Sequence, residues 1–156
     1  MAAKIDIVDK KYFVEQVKPL IDGKQIKFIG EVNHKGKAEL LKNAKALIAP
    51  IQWREPFGLF LIEPMACGTP VIAFNRGSVP EIIKHGKTGF IVTPFNKKTK
   101  PNIEGFVKAI KKIYQMPETE YKKMRYNCRK HVEKNFSLEK MTSEYEKLYY
   151  KVLKGL

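Results

Sequence analysis

The 156-residue sequence is poor in the residue types that build metal and redox centres. Its two cysteines, Cys67 and Cys128, and its three histidines, His34, His85 and His131, stand at spacings that match no metal motif. No metal site is therefore expected, and two lone thiols fit a reduced, cytoplasmic setting. Long apolar runs are lacking too. None approaches the roughly 20 residues that cross a bilayer, and the opening MAAKIDIVDKKYF has no apolar segment of the secretory kind. Arginine is scarce, confined to positions 54, 76, 125 and 129, although Lys and Arg together number 30. The formal charge of +14 thus comes from scattered lysines, with no aromatic-interleaved basic motif, and nucleic acid is not an expected partner. A solvated lysine-rich surface is the plainer reading. Peripheral contact with an anionic membrane, through lysines of 103–115 and 118–134, is the alternative.

What the sequence does have is alternation. Hydrophobic residues make up 44% and charged ones 29%, enough for one globular domain with a core. Apolar runs at 2–7, 26–30, 46–50, 70–74 and 88–92 read as strands. Helical patterns fall at 10–21, 36–44, 56–67 and 79–84, which gives an α/β fold with a mostly parallel sheet covered on both faces. After a polar connection at 93–102 come helices at 103–115, 118–134 and 138–153. The expected organisation is an α/β core over 1–92 followed by a helical region over 103–156. Ser137 suits the N-cap of the last helix, and Phe136 can staple against Met141. The stripe Met141, Tyr145, Leu148, Tyr149 and Val152 is expected to pack.

The stretch REPFGLFLIEPMACGTPVIAF, residues 54–74, holds one charged side chain after Pro56, Glu63. Pro56 suits the first position of a helix, Gly68 its termination, and Pro70 blocks continuation. The predicted helix, Pro56 to Cys67, is apolar almost all round and therefore buried. A carboxylate there costs several kcal/mol unless compensated. Pairing with Arg76 or a lysine, or an edge that reaches water, would do so. So would the polar groups of a ligand. Glu55 and Glu63 are eight helical residues apart, about 12 Å, whereas the paired carboxyls of a retaining glycosidase stand about 5 Å apart and those of an inverting one at most about 9.5 Å. They suit two grips on an extended ligand better than a proton relay. Between them the amides of Phe57, Gly58 and Leu59 face out of the predicted helix start, where an anion is favoured. Gly58 admits close backbone approach, or else close helix packing. A phosphate at the helix start with hydroxyls at either glutamate describes a sugar nucleotide.

From Ala3 to Leu153 the chain resembles the retaining, GT-B-type glycosyltransferases of family 4. EPFGLFLIE matches the Glu-x7-Glu motif, and MACGTPVIAF, GSVPEII, GKTGFIV and FSLEKM follow in the family's order. The resemblance implies a Rossmann-like C-terminal, donor-binding domain and a nucleotide-diphosphate sugar as donor, with no cofactor and no catalytic metal. It implies that Glu55 contacts hydroxyls of the transferred sugar near the reacting carbon and that Glu63 holds the ribose. Amides around Phe57 and Gly58 would face sugar and phosphates, Leu59 would pack by the ribose, and Glu31 and Val32 would lie beside the base.

The sequence also departs from the family. The first strand of the donor domain, with its Gly-Arg turn and the basic pair that clamps the diphosphate, is missing upstream, as is the N-terminal acceptor domain. That strand belongs centrally, between the counterparts of 2–7 and 46–50. A disturbed sheet is expected, or one completed by a second copy or another chain. The expected function is accordingly a glycosyltransferase fragment, inactive alone; a noncatalytic sugar- or phosphate-binding module is the alternative. Pro64 stands where the family more often has alanine and is expected to kink the helix beside Glu63. Ser78 replaces a second glycine.

Overall fold

A computed structural model describes residues 1–95 and 100–155. They divide into a unit over Met1–Leu40 and a larger one from Leu41 onward.

In the first unit one helical stretch changes pitch three times. Ile7–Asp9 is 3-10, α1 (Lys10–Tyr12) is α-helical, Phe13–Val17 is π and Lys18–Leu20 is 3-10 again. Pro19 suits the start of the last piece, which ends as Ile21 turns extended, and Asp22 then builds a turn by accepting from the amides of Lys24 and Ile26, both at 2.8 Å. Those two amides, Ile26 first, hold the Asp22 carboxyl below its ordinary value. The rings of Phe13 and Phe28 meet at 4.9 Å. The expected strands 2–7 and 26–30 do not form. Ile29 donates to the Met1 carbonyl at 2.9 Å and Ala3 to the Gly30 carbonyl at 3.0 Å, so the two bonds end on different residues. A parallel ladder needs both to end on one. Strand pairing here would have required covered faces, and no residue of this unit is buried. Helix α2 (His34–Asn43) follows, its start capped by Asn33 Oδ1, which accepts from the Gly36 amide at 2.8 Å.

The second unit carries the sheet. Strands β1 (Leu47–Ala49), β2 (Val71–Phe74) and β3 (Gly89–Val92) are parallel and adjacent in that order, with Leu47 level with Val71 and Val71 level with Gly89. All four β2 residues are buried, as expected for a central strand covered on both sides. Among the described residues β1 has no second strand partner. Helices α3 (Leu59–Ala66) and α4 (Val79–Ile82) follow β1 and β2, and α5 (Ile103–Tyr114) and α6 (Glu118–Asn135) follow β3. Phe106 of α5 stands edge-on to Phe74 at 4.6 Å. Tyr121, Met124, Cys128 and Val132 make the buried face of α6. Burial pushes the Cys128 thiol up to about 12.

Helix α7 (Leu138–Leu153) starts at Ser137, whose hydroxyl accepts from the Lys140 amide. The staple to Met141 gives way to another contact: the Phe136 ring lies against Phe57 at 6.1 Å and His131 at 5.5 Å, while Met141 is 51% exposed. Nor does the apolar stripe pack. Tyr145, Leu148, Tyr149 and Val152 are all more than half exposed. No described helix is long and apolar enough to cross a membrane.

Candidate functional site

The predicted helix start at Pro56 moves downstream. Pro56 lies in a bend, Gly58 adopts the left-handed region (φ 88°, ψ 68°), and α3 begins at Leu59. A left-handed residue cannot continue a right-handed helix, so Gly58 rather than Pro56 sets the boundary. The amides at the helix start are therefore those of Leu59 and Phe60, while the Leu61 amide turns back to the Gly58 carbonyl at 2.9 Å. At the other end the expected stop holds. Gly68 (φ 74°) donates to Met65 and Thr69 to the Pro64 carbonyl at 2.8 Å, the paired bonds of a Schellman motif. Pro64 is fully buried, and the helix continues through it to Ala66.

Glu55 sits on the loop between β1 and α3, half-buried. The Trp53 indole N–H donates to its Oε2 at 3.1 Å. Its backbone is fixed from another direction, by the turn that follows β2. Ser78 donates its amide to the Glu55 carbonyl at 3.0 Å and its hydroxyl to the Phe57 carbonyl at 2.6 Å. Between them Gly77 (φ 53°) presses so closely that a Cβ there would overlap the Glu55 carbonyl oxygen and stand 2.6 Å from the Glu55 nitrogen. Gly58 is also crowded, though less so: a Cβ would be 3.1 Å from Glu55 Cγ. Thus GSVPEII is not only a helix start. Its first two residues clamp the main chain that carries Glu55.

Of the other sequence-named residues, Phe57 and Leu59 are exposed (46% and 66%), Gly58 is buried, and Glu63 is half-buried. Glu63 thus keeps an edge toward water, and it also has an interaction partner within the chain. Glu31 and Val32 belong to the first unit, just ahead of α2, Glu31 exposed and Val32 half-buried. The structure groups Glu55, Phe57, Gly58 and Leu59 around the Gly77–Ser78 turn.

A cavity of about 360 Å³ opens beyond the carboxyl ends of β2 and β3, lined by Arg54, Asn75, Arg76, Gly77 and Pro94. Parallel α/β sheets bind ligands at that end. A larger cavity, about 640 Å³, lies at the amino end of β3 among Lys84, Lys87, Lys123 and His131. The smaller one is the better candidate, because Arg54 and Gly77 in its lining are the chain neighbour of Glu55 and the glycine that rests on its main chain. His131 there is structural: Nε2 meets the Ile82 carbonyl at 2.9 Å and Nδ1 meets the Asn135 amide nitrogen at 3.1 Å. No described group of three His, Cys, Asp or Glu side chains could hold a metal ion.

Sequence reasoning missed three parts of this arrangement: Trp53, Arg54 and the clamping role of Gly77. The signal for Gly77 was present in GSVPEII, but contact between two loops distant in sequence leaves no periodicity to read.

Known proteins resemble the chain closely. The family described as "Glycosyl transferases group 1" matches residues 3–131. The N-acetyl-alpha-D-glucosaminyl L-malate synthase of Bacillus anthracis is 32% identical over 141 residues, 90% of this chain and 34% of that protein. Sucrose-phosphate synthase from Thermosynechococcus elongatus superposes with a TM-score of 0.79 at 26% identity, over 99% of this chain and 38% of that one. The Anabaena protein HepE, solved in complex with UDP-glucose, superposes with a TM-score of 0.75 at 20% identity, over 96% of this chain and 40% of that one; at that identity the likeness is one of fold. In these three cases the chain spans 34%, 38% and 40% of the other protein's length.

Proposed function

The chain belongs to the group 1 glycosyl transferases, and we propose that its second unit forms part of the donor site of a retaining, GT-B-type transferase that uses a nucleotide-diphosphate sugar. The observation that carries this reading is the double fixation of Glu55. Its carboxylate is held by Trp53 and its main chain by the Gly77–Ser78 turn, at the carboxyl end of a parallel sheet. A carboxylate held this firmly offers sugar hydroxyls acceptors that need no reorganisation as the glycosidic bond breaks.

The leaving group is a nucleoside diphosphate, and its charge grows as the bond to the sugar lengthens. The start of α3, with the Leu59 and Phe60 amides and the positive end of the helix dipole, is the place that favours it. Exposed Leu59 gives the ribose an apolar contact. Glu63 takes ribose hydroxyls while keeping its present partner, since a carboxylate has about four acceptor sites. That a solved relative in fold was captured with UDP-glucose supports the donor class. The work is set in the cytoplasm, and much of acceptor recognition belongs to sequence outside these residues.

Titration calorimetry of the chain with UDP, GDP and their glucose and mannose conjugates tests this. Binding of one nucleotide is expected, weakened about tenfold in Glu63→Gln, as for loss of a hydrogen bond to a charged group. No binding of any of them at millimolar concentration overturns the reading.

A further inference from the structure

The cavity at the carboxyl ends of β2 and β3 holds two of the chain's four arginines, and the donor site as described uses neither. Arg76 Nε is buried and has no hydrogen-bond partner among the described residues. Neither Arg54 nor Arg76 forms an ion pair among them. Native structures rarely leave a buried N–H unanswered, and such a group marks a position that something else completes. The face of Phe95 lies 4.7 Å from the Arg76 guanidinium carbon and fixes its plane. Asn75 supplies a further polar group, and no acidic residue lines the cavity.

Position and size narrow the occupant. Arg54 immediately precedes Glu55, and the Gly77 turn rests on the main chain of both residues, so the cavity adjoins the main chain of the residue assigned to the transferred sugar. At about 360 Å³ it is near the lower end of small-molecule sites, roughly 300–1,000 Å³. It has room for a sugar-sized portion of a substrate and not for a whole nucleotide sugar. The diphosphate has its own favoured place at the start of α3, on the other side of Glu55 in the chain.

Resting on the donor-site reading, we infer that Arg54 and Arg76 receive an anionic group, a carboxylate or a phosphate, carried by the transferred sugar or by the acceptor. A guanidinium fork matches either oxyanion through two parallel hydrogen bonds, which a lysine cannot do. The two arginines then set substrate choice: they favour a charged sugar or acceptor over its neutral counterpart.

Calorimetry on the 156-residue chain decides this with two pairs of probes. One compares UDP-glucuronate with UDP-glucose; the other, with UDP present, compares glucose 6-phosphate with glucose. The anionic member of one pair is expected to bind about tenfold tighter or better. The first pair identifies the sugar as the source, the second the acceptor. Arg54→Gln and Arg76→Gln should each abolish the preference and leave UDP affinity unchanged. Arg54 is exposed, so its variant decides even if Arg76→Gln fails to fold. The inference is overturned if UDP binds but neither pair shows a preference, or if both variants lose UDP itself, which would assign the arginines to the diphosphate. Should UDP fail to bind while glucose 6-phosphate still does so through the arginines, the donor-site reading falls and the anion cavity stands. If neither binds, both fall.

Discussion

Gly77 shows how one missing side chain positions another residue. At φ 53° an L-residue is already strained by about 1–2 kcal/mol, and a methyl group would also collide with the Glu55 main chain. Gly77→Ala is expected to lower stability by about 2 kcal/mol or more, read as a drop in the urea midpoint. Gly86→Ala is the control, with φ 76° but nothing within 4 Å of the added carbon; it should show the backbone strain alone. Cys128 and Cys67 differ in the same local way. Cys128 is buried, its thiol pushed up to about 12, and its S–H donates to the Thr88 carbonyl at 3.2 Å, whereas Cys67 is partly exposed. A thiol reagent at pH 8 should modify Cys67 in the native protein and reach Cys128 only in urea; equal rates would refute this. His131 sets a pH dependence. Burial first, and then the Lys84 charge, hold its imidazole below the ordinary 6.5, against the pull of the Ile82 carbonyl. The unfolded chain therefore takes up the proton first, so the His131 contribution is complete above about pH 6.5 and is lost as pH falls through the lowered folded value. The urea midpoint should fall between pH 7 and pH 5.5, and His131→Gln should flatten that slope. The lowered carboxyls of Asp22, Glu133, Glu139 and Glu144 titrate at more acid pH and stay outside this window.

Among the elements, α6 does more than bury an apolar face. Its polar side chains reach backbone carbonyls that the loops and helix ends leave over. Tyr121 donates to Lys45 at 2.9 Å, Arg125 to Lys42 at 3.0 Å, and Arg129 to Ala66 in the last turn of α3 at 3.0 Å. Tyr121→Phe keeps the ring and removes this bond together with the one its hydroxyl accepts from Arg125 at 3.3 Å, and should cost about 1–2 kcal/mol in a denaturant melt. These elements were unevenly legible in the sequence. The runs at 46–50, 70–74 and 88–92 became β1, β2 and β3 because each is apolar and lies against helices on a common core. Ser137 and Gly68 announced their helix boundaries because a cap is a local hydrogen-bonding problem. The start of α3 was misplaced because Pro56 and Gly58 both offer a boundary, and composition does not show that the chain turns left-handed at Gly58, where Glu55 and Leu61 crowd it. Segments 2–7 and 26–30 had strand composition without a covered face, and composition alone did not make them strands.

At the scale of the molecule, burial is concentrated. Every member of the hydrophobic core lies between Ala49 and Val132, while Met1–Leu40 and α7 contain no buried residue. Amide exchange should follow this map. The β2 amides are expected to exchange slowest, and those of residues 1–33 faster by orders of magnitude, since local opening there exposes little new apolar surface. Protection in residues 1–33 equal to that of β2 would contradict the map. The candidate site follows the same distribution, for the turn that grips the Glu55 main chain leaves directly from β2. Glu55 is in effect mounted on the most deeply buried strand of the protein, although it belongs by sequence to a surface loop. The exposed side chain of Arg54 takes no part in that grip, so on the proposed reading descendants of this chain could exchange one sugar for another by changing it while the Glu55 main chain keeps its place.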